Sequence, residues 1–175
     1  IKLPKSISKT KIGFFLGSSV GNFYNKEEKK FLKNAKKTLG KKSFLFVGVD
    51  LIKNVKILKK AYNDKGNFTA KFNLNLINII NKQFKTNLKI KDFKYMPTFN
   101  RKKSSMENFI VSKKDQFFFI KKYKFYLKKG DKIQTEISNK FTISKFTKLA
   151  KSSGWSVKKH WKDAKRYYAV FLLQA

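Results

Sequence analysis

KIGFFLGSSVGNFYNKEEKKFLKNAKKTLGKKSFLFVGVDL, residues 11–51, carries apolar strand, glycine turn, amphipathic helix and second apolar strand in that order. "KIGFFLG" (11–17) reads as a short buried strand bounded by its own glycines. After the turn, Asn25 can cap a helix whose first turn holds Glu27 and Glu28. Phe31, Leu32, Ala35 and Leu39 then recur at helical spacing, and Gly40 supplies the stop. "SFLFVGVDL" (43–51) reads as a second buried strand with Asp50 near its end. Strand, helix and strand in this order make a parallel right-handed crossover the expected connection. Ligands of such sheets bind beyond the carboxyl ends of the strands, where residues 17–22 fall.

Outward from this unit the pattern changes twice. Residues 54–85 read as helical, with Phe68, Phe72, Leu76, Ile79 and Ile80 on one stripe. Between 92 and 141, "DFKYMPTFN", "MENFIVS", "DQFFFIKKYKFYL" and "DKIQTEISNKF" read as successive strands joined by short polar turns. "TISKFTKLAKSSG" (142–154) returns to helix, with Thr142 or Ser144 as cap and Gly154 as stop. "WSVKKHW" and "RYYAVFLLQA" close the chain as a strand pair around a turn at 162–165. The expected organisation is α/β, an insertion, then α/β again, with neither an internal repeat nor a Pro/Gly/Ser-rich linker.

Composition bounds the chemistry. The 175 residues, 41% hydrophobic and 16% aromatic, suffice for a packed core. Absence of cysteine removes disulfides, thiolate nucleophiles and Cys-based zinc sites, and the single histidine, His160, excludes multi-His metal or catalytic sites. His160 itself is expected to be structural. No apolar run approaches a membrane span, and "IKLPKSISKTK" lacks the apolar core of a signal peptide, so a cytoplasmic location is expected. A start at Ile rather than Met points to a piece of a longer protein.

The formal net charge of +33 has two readings. One is affinity for a nucleic acid or other polyanion. The other is an AT-rich coding bias toward Lys, Asn, Ile and Phe, although that leaves the scarcity of Glu unexplained. The second is favoured. Arg101 and Arg166 are the only arginines, whereas phosphate forks favour Arg, and the lysines are spread along the chain. "FFFIKKYKFYLKK" can likewise be a base-stacking run or the buried and wet faces of one antiparallel strand.

Three clusters carry polar chemistry. Gly17-Ser18-Ser19-Val20-Gly21-Asn22 is neither GxGxxG nor a P-loop, which argues against nucleotide phosphate. It suits either an ordinary tight turn or a polar ligand met by close backbone approach. In "TEIS", Glu136 and Ser138 are two apart and share a strand face, either solvated or facing an N–H-rich ligand. Tyr62 and the Asn63-Asp64 pair form a helix-end turn that also supplies a hydroxyl donor.

Taken in order, "FFLGSSVGNF", "FLFVGVDLIKN", "KAYNDKGNFTAKFNLNLI", "TEISNKF" and "HWKD…RYYAVFLL" resemble the histidine Nα-methyltransferase family of ergothioneine biosynthesis. The resemblance covers nearly the whole chain. It implies an α/β fold: the C-terminal part of a Rossmann-like class I methyltransferase sheet with an inserted α+β substrate-binding domain. The methyltransferase segments would be 1–50 and 141–175, and the substrate domain 51–140. S-adenosylmethionine would be the cofactor and an amino acid, foremost L-histidine, the substrate. Gly17 and Asn22 would sit beside the substrate amine and carboxylate. Tyr62 would reach the carboxylate end, and Glu136 and Ser138 would face the imidazole. No metal is implied.

Two departures from the family pattern matter. Its cofactor-binding glycine motif and ribose-binding acid are expected upstream of Ile1, in the same protein or a partner chain. The 175 residues alone are therefore expected to be inactive. Where the family reads Ile-Glu-Met, this chain reads Met106-Glu107-Asn108, placing Asn108 where a methionine lines the imidazole pocket. Rival readings are a Lys-rich nucleic-acid-binding module on the same fold and a non-catalytic subunit.

Overall fold

The computed structural model describes residues 10–24 and 26–175. They form two compact units, one comprising residues 10–24, 26–53, 102–105 and 138–175, the other 54–101 and 106–137.

The first unit is built on the strand–helix–strand segment that opens the chain. β1 (Ile12–Phe15) pairs in parallel with β2 (Phe44–Asp50), in the register Ile12 to Phe44 through Phe15 to Val47. Between them runs α1 (Glu27–Leu39). The expected cap Asn25 lies outside the described residues. What is seen is Lys26 in the left-handed region at the helix start, with the Glu27 carboxylate accepting the Tyr24 N–H at 3.0 Å. Gly40, at φ 86°, ends the helix as expected and returns its N–H to the Lys36 carbonyl at 2.9 Å.

α4 (Ile143–Ser152) follows, capped by Thr142, whose hydroxyl accepts the Lys145 N–H at 3.1 Å. The closing hairpin of β8 (Ser156–Lys162) and β9 (Tyr168–Gln174) completes a sheet ordered β1-β2-β9-β8, with β9 antiparallel to both neighbours. Asp163 holds the hairpin turn, its carboxylate accepting the N–H groups of Lys165, Tyr167 and Tyr168.

Alternation decides which sheet face is packed. Leu45, Val47 and Val49 of β2 and Ala169, Phe171 and Leu173 of β9 are buried with Val20, Leu32, Phe146 and Trp155. Each large member contributes about 1.5–3 kcal/mol of apolar burial. Trp155 also donates its indole N–H to the Leu32 carbonyl at 2.9 Å, tying the segment after α4 to α1. β1 departs from the buried strand expected of it. It is an edge strand, and Ile12 and Phe14 stand exposed on it. Apolar composition could not separate a central from an edge strand. Here the second face of the sheet carries an aromatic row, with Phe14 stacked on Phe46 at 5.2 Å and Phe46 near Trp161 at 6.3 Å. His160 is exposed and stacks on Phe171 at 5.4 Å.

The second unit begins with α2 (Val55–Tyr62), capped by Asn54, whose side chain accepts the Lys56 N–H, and α3 (Phe68–Phe84). Its strands are β3 (Phe93–Asn100), β4 (Ser105–Ser112), β5 (Gln116–Ile120), β6 (Tyr123–Leu127) and β7 (Lys132–Asn139). They form a sheet ordered β3-β4-β7 and a separate β5-β6 hairpin. Ser105 of β4 and Ser138 and Asn139 of β7 belong to the first unit. The core gathers Ile77, Leu88, Phe93, Ile110 and Phe118.

Two expectations are corrected here. "FFFIKKYKFYL" is not one strand; it folds back at Lys121, at φ 55°, pairing Gln116 with Leu127 through Ile120 with Tyr123. The stripe on α3 is also displaced. Phe68 and Phe72 are 74% and 75% exposed, Ile79 is exposed, and the buried positions are Asn73 and Ile77. Asn73 tolerates burial because its amide donates to the Thr69 carbonyl at 2.9 Å and its own carbonyl accepts the Thr135 hydroxyl at 2.5 Å.

Candidate functional site

In the first unit, polar groups converge where β2 ends. The turn after β1 places Ser18 at φ 58° and continues as a short 3-10 turn, Ser19–Asn22. Ser18 Oγ accepts the backbone N–H of Asp50 at 2.9 Å, which fixes the turn to the end of β2. Gly21 is buried against the end of β7: a Cβ there would stand 2.7 Å from the Asn139 carbonyl oxygen. Asn139 in turn donates its side-chain amide to the Phe23 carbonyl at 3.0 Å. Glycine at this position is thus required by a neighbouring strand. Gly48 is required in the same way, because a Cβ would collide with the Tyr168 hydroxyl and the Leu16 carbonyl, which are themselves hydrogen-bonded. Burial, and then the charge of Asp50, push the Tyr168 phenol above its ordinary pKa, which keeps it a donor.

Beside the turn lies an ion cluster built on a buried lysine. Lys140 is almost wholly buried, and its ammonium group meets Asp50 Oδ2 at 2.8 Å and donates to Ser138 Oγ at 2.8 Å. Lys53 binds the other oxygen of Asp50. Sequence reasoning noticed Asp50 and Ser138 but missed Lys140, because one lysine among so many carries no signal. Within this unit the structure therefore brings together the turn holding Gly17 and Asn22, both exposed, and the strand end holding Ser138.

In the second unit, Tyr62 and Glu136 line one cavity of about 460 Å³ with Ala61, Phe68, Thr69 and Phe72. The exposure of Phe68 and Phe72 on α3 is explained by this: they wall the cavity rather than fill the core. The entry of α3 is fixed by Asp64, whose carboxylate accepts the N–H of Phe68 at 2.8 Å and of Thr69 at 2.9 Å. Hydrogen bonds, first that of the Thr69 side chain and then the backbone N–H groups, lower its pKa from the ordinary 3.8 to about 2.

Behind Glu136 stands Asn108, only 1% exposed, which donates its amide to Glu136 Oε2 at 2.8 Å. Tyr95, absent from the sequence-based candidates, donates its phenol to Asn108 Oδ1 at 2.9 Å. An alternating strand with one tyrosine gives no hint of that partner. Tyr62, Asn108 and Glu136 are thus gathered in the second unit, as Gly17, Asn22 and Ser138 are in the first. Among the described residues no group of three or more His, Asp or Glu side chains is placed to hold a metal ion. Among the described residues no helix is long and apolar enough to cross a membrane.

Comparison with known proteins gives this geometry its context. A histidine N-alpha-methyltransferase of Mycolicibacterium smegmatis is 27% identical over 129 residues, 73% of this chain and 40% of that protein. One from Mycobacterium tuberculosis is 30% identical over 93 residues, 53% of this chain and 29% of that protein. Ergothioneine biosynthesis protein 1 of Neurospora crassa is 39% identical over 75 residues, 43% of this chain and 9% of that protein. The matched regions thus span less than half the length of each relative. The model of the family described as "Histidine-specific methyltransferase, SAM-dependent" matches residues 1–175. The chain belongs to the histidine-specific, S-adenosylmethionine-dependent methyltransferase family.

Proposed function

We propose that the complete protein methylates the α-amino group of an amino acid, L-histidine first, in a trimethylhistidine or ergothioneine type of pathway. The observation that carries this reading is the family match along all 175 residues. In this reading Gly17 and Asn22 meet the substrate amine and carboxylate, and Tyr62 reaches the carboxylate end. Glu136 and Ser138 take the ring, with Asn108 behind Glu136. Segments 1–50 and 141–175 belong to the methyltransferase domain, and 51–140 binds substrate. The cytoplasm is the expected compartment.

S-adenosylmethionine is the cofactor of the family. The described residues do not fit a whole site for it. The space beside Gly21 is filled by Asn139 and that beside Gly48 by Tyr168 and Leu16, so neither glycine opens a cradle. Asp50, the acid at the end of β2, is already tied to Lys53 and Lys140. An upstream part of the same protein, or a partner chain, is assigned most of the cofactor's contacts, and the open edge of β1 is where a sheet can be extended.

What this chain's residues contribute is positioning, which dominates when an amine lone pair must be aligned with an electrophile. The Glu136 carboxylate is an acceptor for a ring N–H. Ser138 already accepts from Lys140, so its own hydroxyl proton is directed elsewhere, as a donor.

The test is the complete protein with S-adenosylmethionine and a panel of amino acids, read by mass spectrometry. Mono-, di- or trimethylated histidine supports the reading. Cofactor binding with no methylated amino acid refutes it.

A further inference from the structure

The relay Tyr95–Asn108–Glu136 has a directionality that the proposed function does not use. β3, β4 and β7 are neighbours in that order, and each contributes one member. A phenol proton on Asn108 Oδ1 leaves only one orientation for the amide, with its NH₂ toward Glu136 Oε2. The reverse orientation would set the amide carbonyl against a carboxylate. Burial, and then the charge of Glu136, push the Tyr95 phenol well above its ordinary pKa, so the donor persists at any working pH. Asn108 is buried between these two partners, which leaves its amide little freedom to turn.

A carboxylate offers about four lone-pair directions, so Glu136 can accept from Asn108 and from a ligand together. Glu136 lines the cavity walled by Tyr62, Phe68 and Phe72, and the Asn108 bond fixes one of its carboxylate oxygens. Apolar walls with one anchored acceptor suit a flat ring that carries an N–H.

We propose that Tyr95 is a positioning residue for substrate choice: through Asn108 it sets the Glu136 carboxylate to receive the N–H of an imidazole side chain. The proposal rests on the amino-acid methyltransferase reading and deepens it. Tyr95 touches no reacting atom. It acts by making discrimination between an N–H-bearing ring and a ring without one depend on a hydrogen bond two residues away.

The experiment is Tyr95→Phe in the complete protein, with affinities for L-histidine and L-phenylalanine measured by calorimetry. Loss of the relay is expected to weaken histidine about tenfold, in proportion to one charge-assisted hydrogen bond, and to leave phenylalanine unchanged. In an Asn108→Met background, Tyr95→Phe should change the ratio no further, because the middle of the relay is gone. Equal weakening of both ligands, or a histidine affinity within about twofold of the parent, overturns the proposal. If the parent protein binds no histidine, the functional reading fails, and the relay is then judged on the Asn108 side-chain amide by nitrogen-15 NMR. Faster hydrogen exchange of that amide in Tyr95→Phe keeps the relay, and an unchanged amide ends it.

Discussion

Asp50→Asn and Lys140→Met each remove one half of the same ion pair, yet the structure makes them unequal. With Lys140→Met, the Asp50 carboxylate keeps Lys53, and at 21% side-chain exposure it keeps water as well. That situation is close to losing a surface pair, about 0–1 kcal/mol, to which about 0.5–1.5 kcal/mol is added for the bond lost by Ser138 Oγ, giving about 0.5–2.5 kcal/mol in all. With Asp50→Asn, the ammonium of Lys140 loses its Asp50 counter-charge at 2% exposure, with Ser138 Oγ still accepting from it. Removing one partner of a buried ion pair costs about 3–5 kcal/mol. Urea unfolding of the complete protein reads both values, with the slope checked for constancy. The double substitution should recover about 1–2 kcal/mol relative to Asp50→Asn, since the buried ammonium is removed as well. Equal costs, or a greater cost for Lys140→Met, would refute the reasoning that burial rather than pairing sets the penalty.

Two further outcomes follow from local geometry. Gly48→Ala should destabilise the first unit by about 1–3 kcal/mol through overpacking, because the added methyl meets the Tyr168 hydroxyl and the Leu16 carbonyl; a thermal melt checks this. Asp64 has a folded pKa depressed from 3.8 to about 2, so its stabilisation is fully present above 3.8 and is lost as pH falls through about 2. Stability measured across that window should fall more steeply in the parent than in Asp64→Asn, whose side chain does not titrate there, and parallel curves would contradict the assignment.

The strand, glycine turn, helix and strand of 11–51 were legible because hydrophobic period, Gly40 and the acids of the first helical turn all agree. The polar side chains of the candidate site were legible only through resemblance, as composition and spacing left Glu136 and Ser138 open to a solvated strand face. Neither route exposed Tyr95 or Lys140. Their roles are set by partners across strands, Asn108 from position 95 and Asp50 from position 140, and no local spacing encodes those pairings.

By itself, then, the sequence determined where helices and most strands run, the parallel first crossover, and the set of residues that resemble an amino-acid site. Tertiary structure decided the rest for physical reasons. Strand order made the apolar β1 an edge rather than a core strand. On α3 the buried positions are Asn73, bonded to Thr135, and Ile77, while Phe68 and Phe72 line a cavity. The close approach of Asn139 and Tyr168 filled the space beside Gly21 and Gly48. Each of these outcomes depends on which groups meet across long stretches of chain, and desolvation then makes each meeting costly to undo.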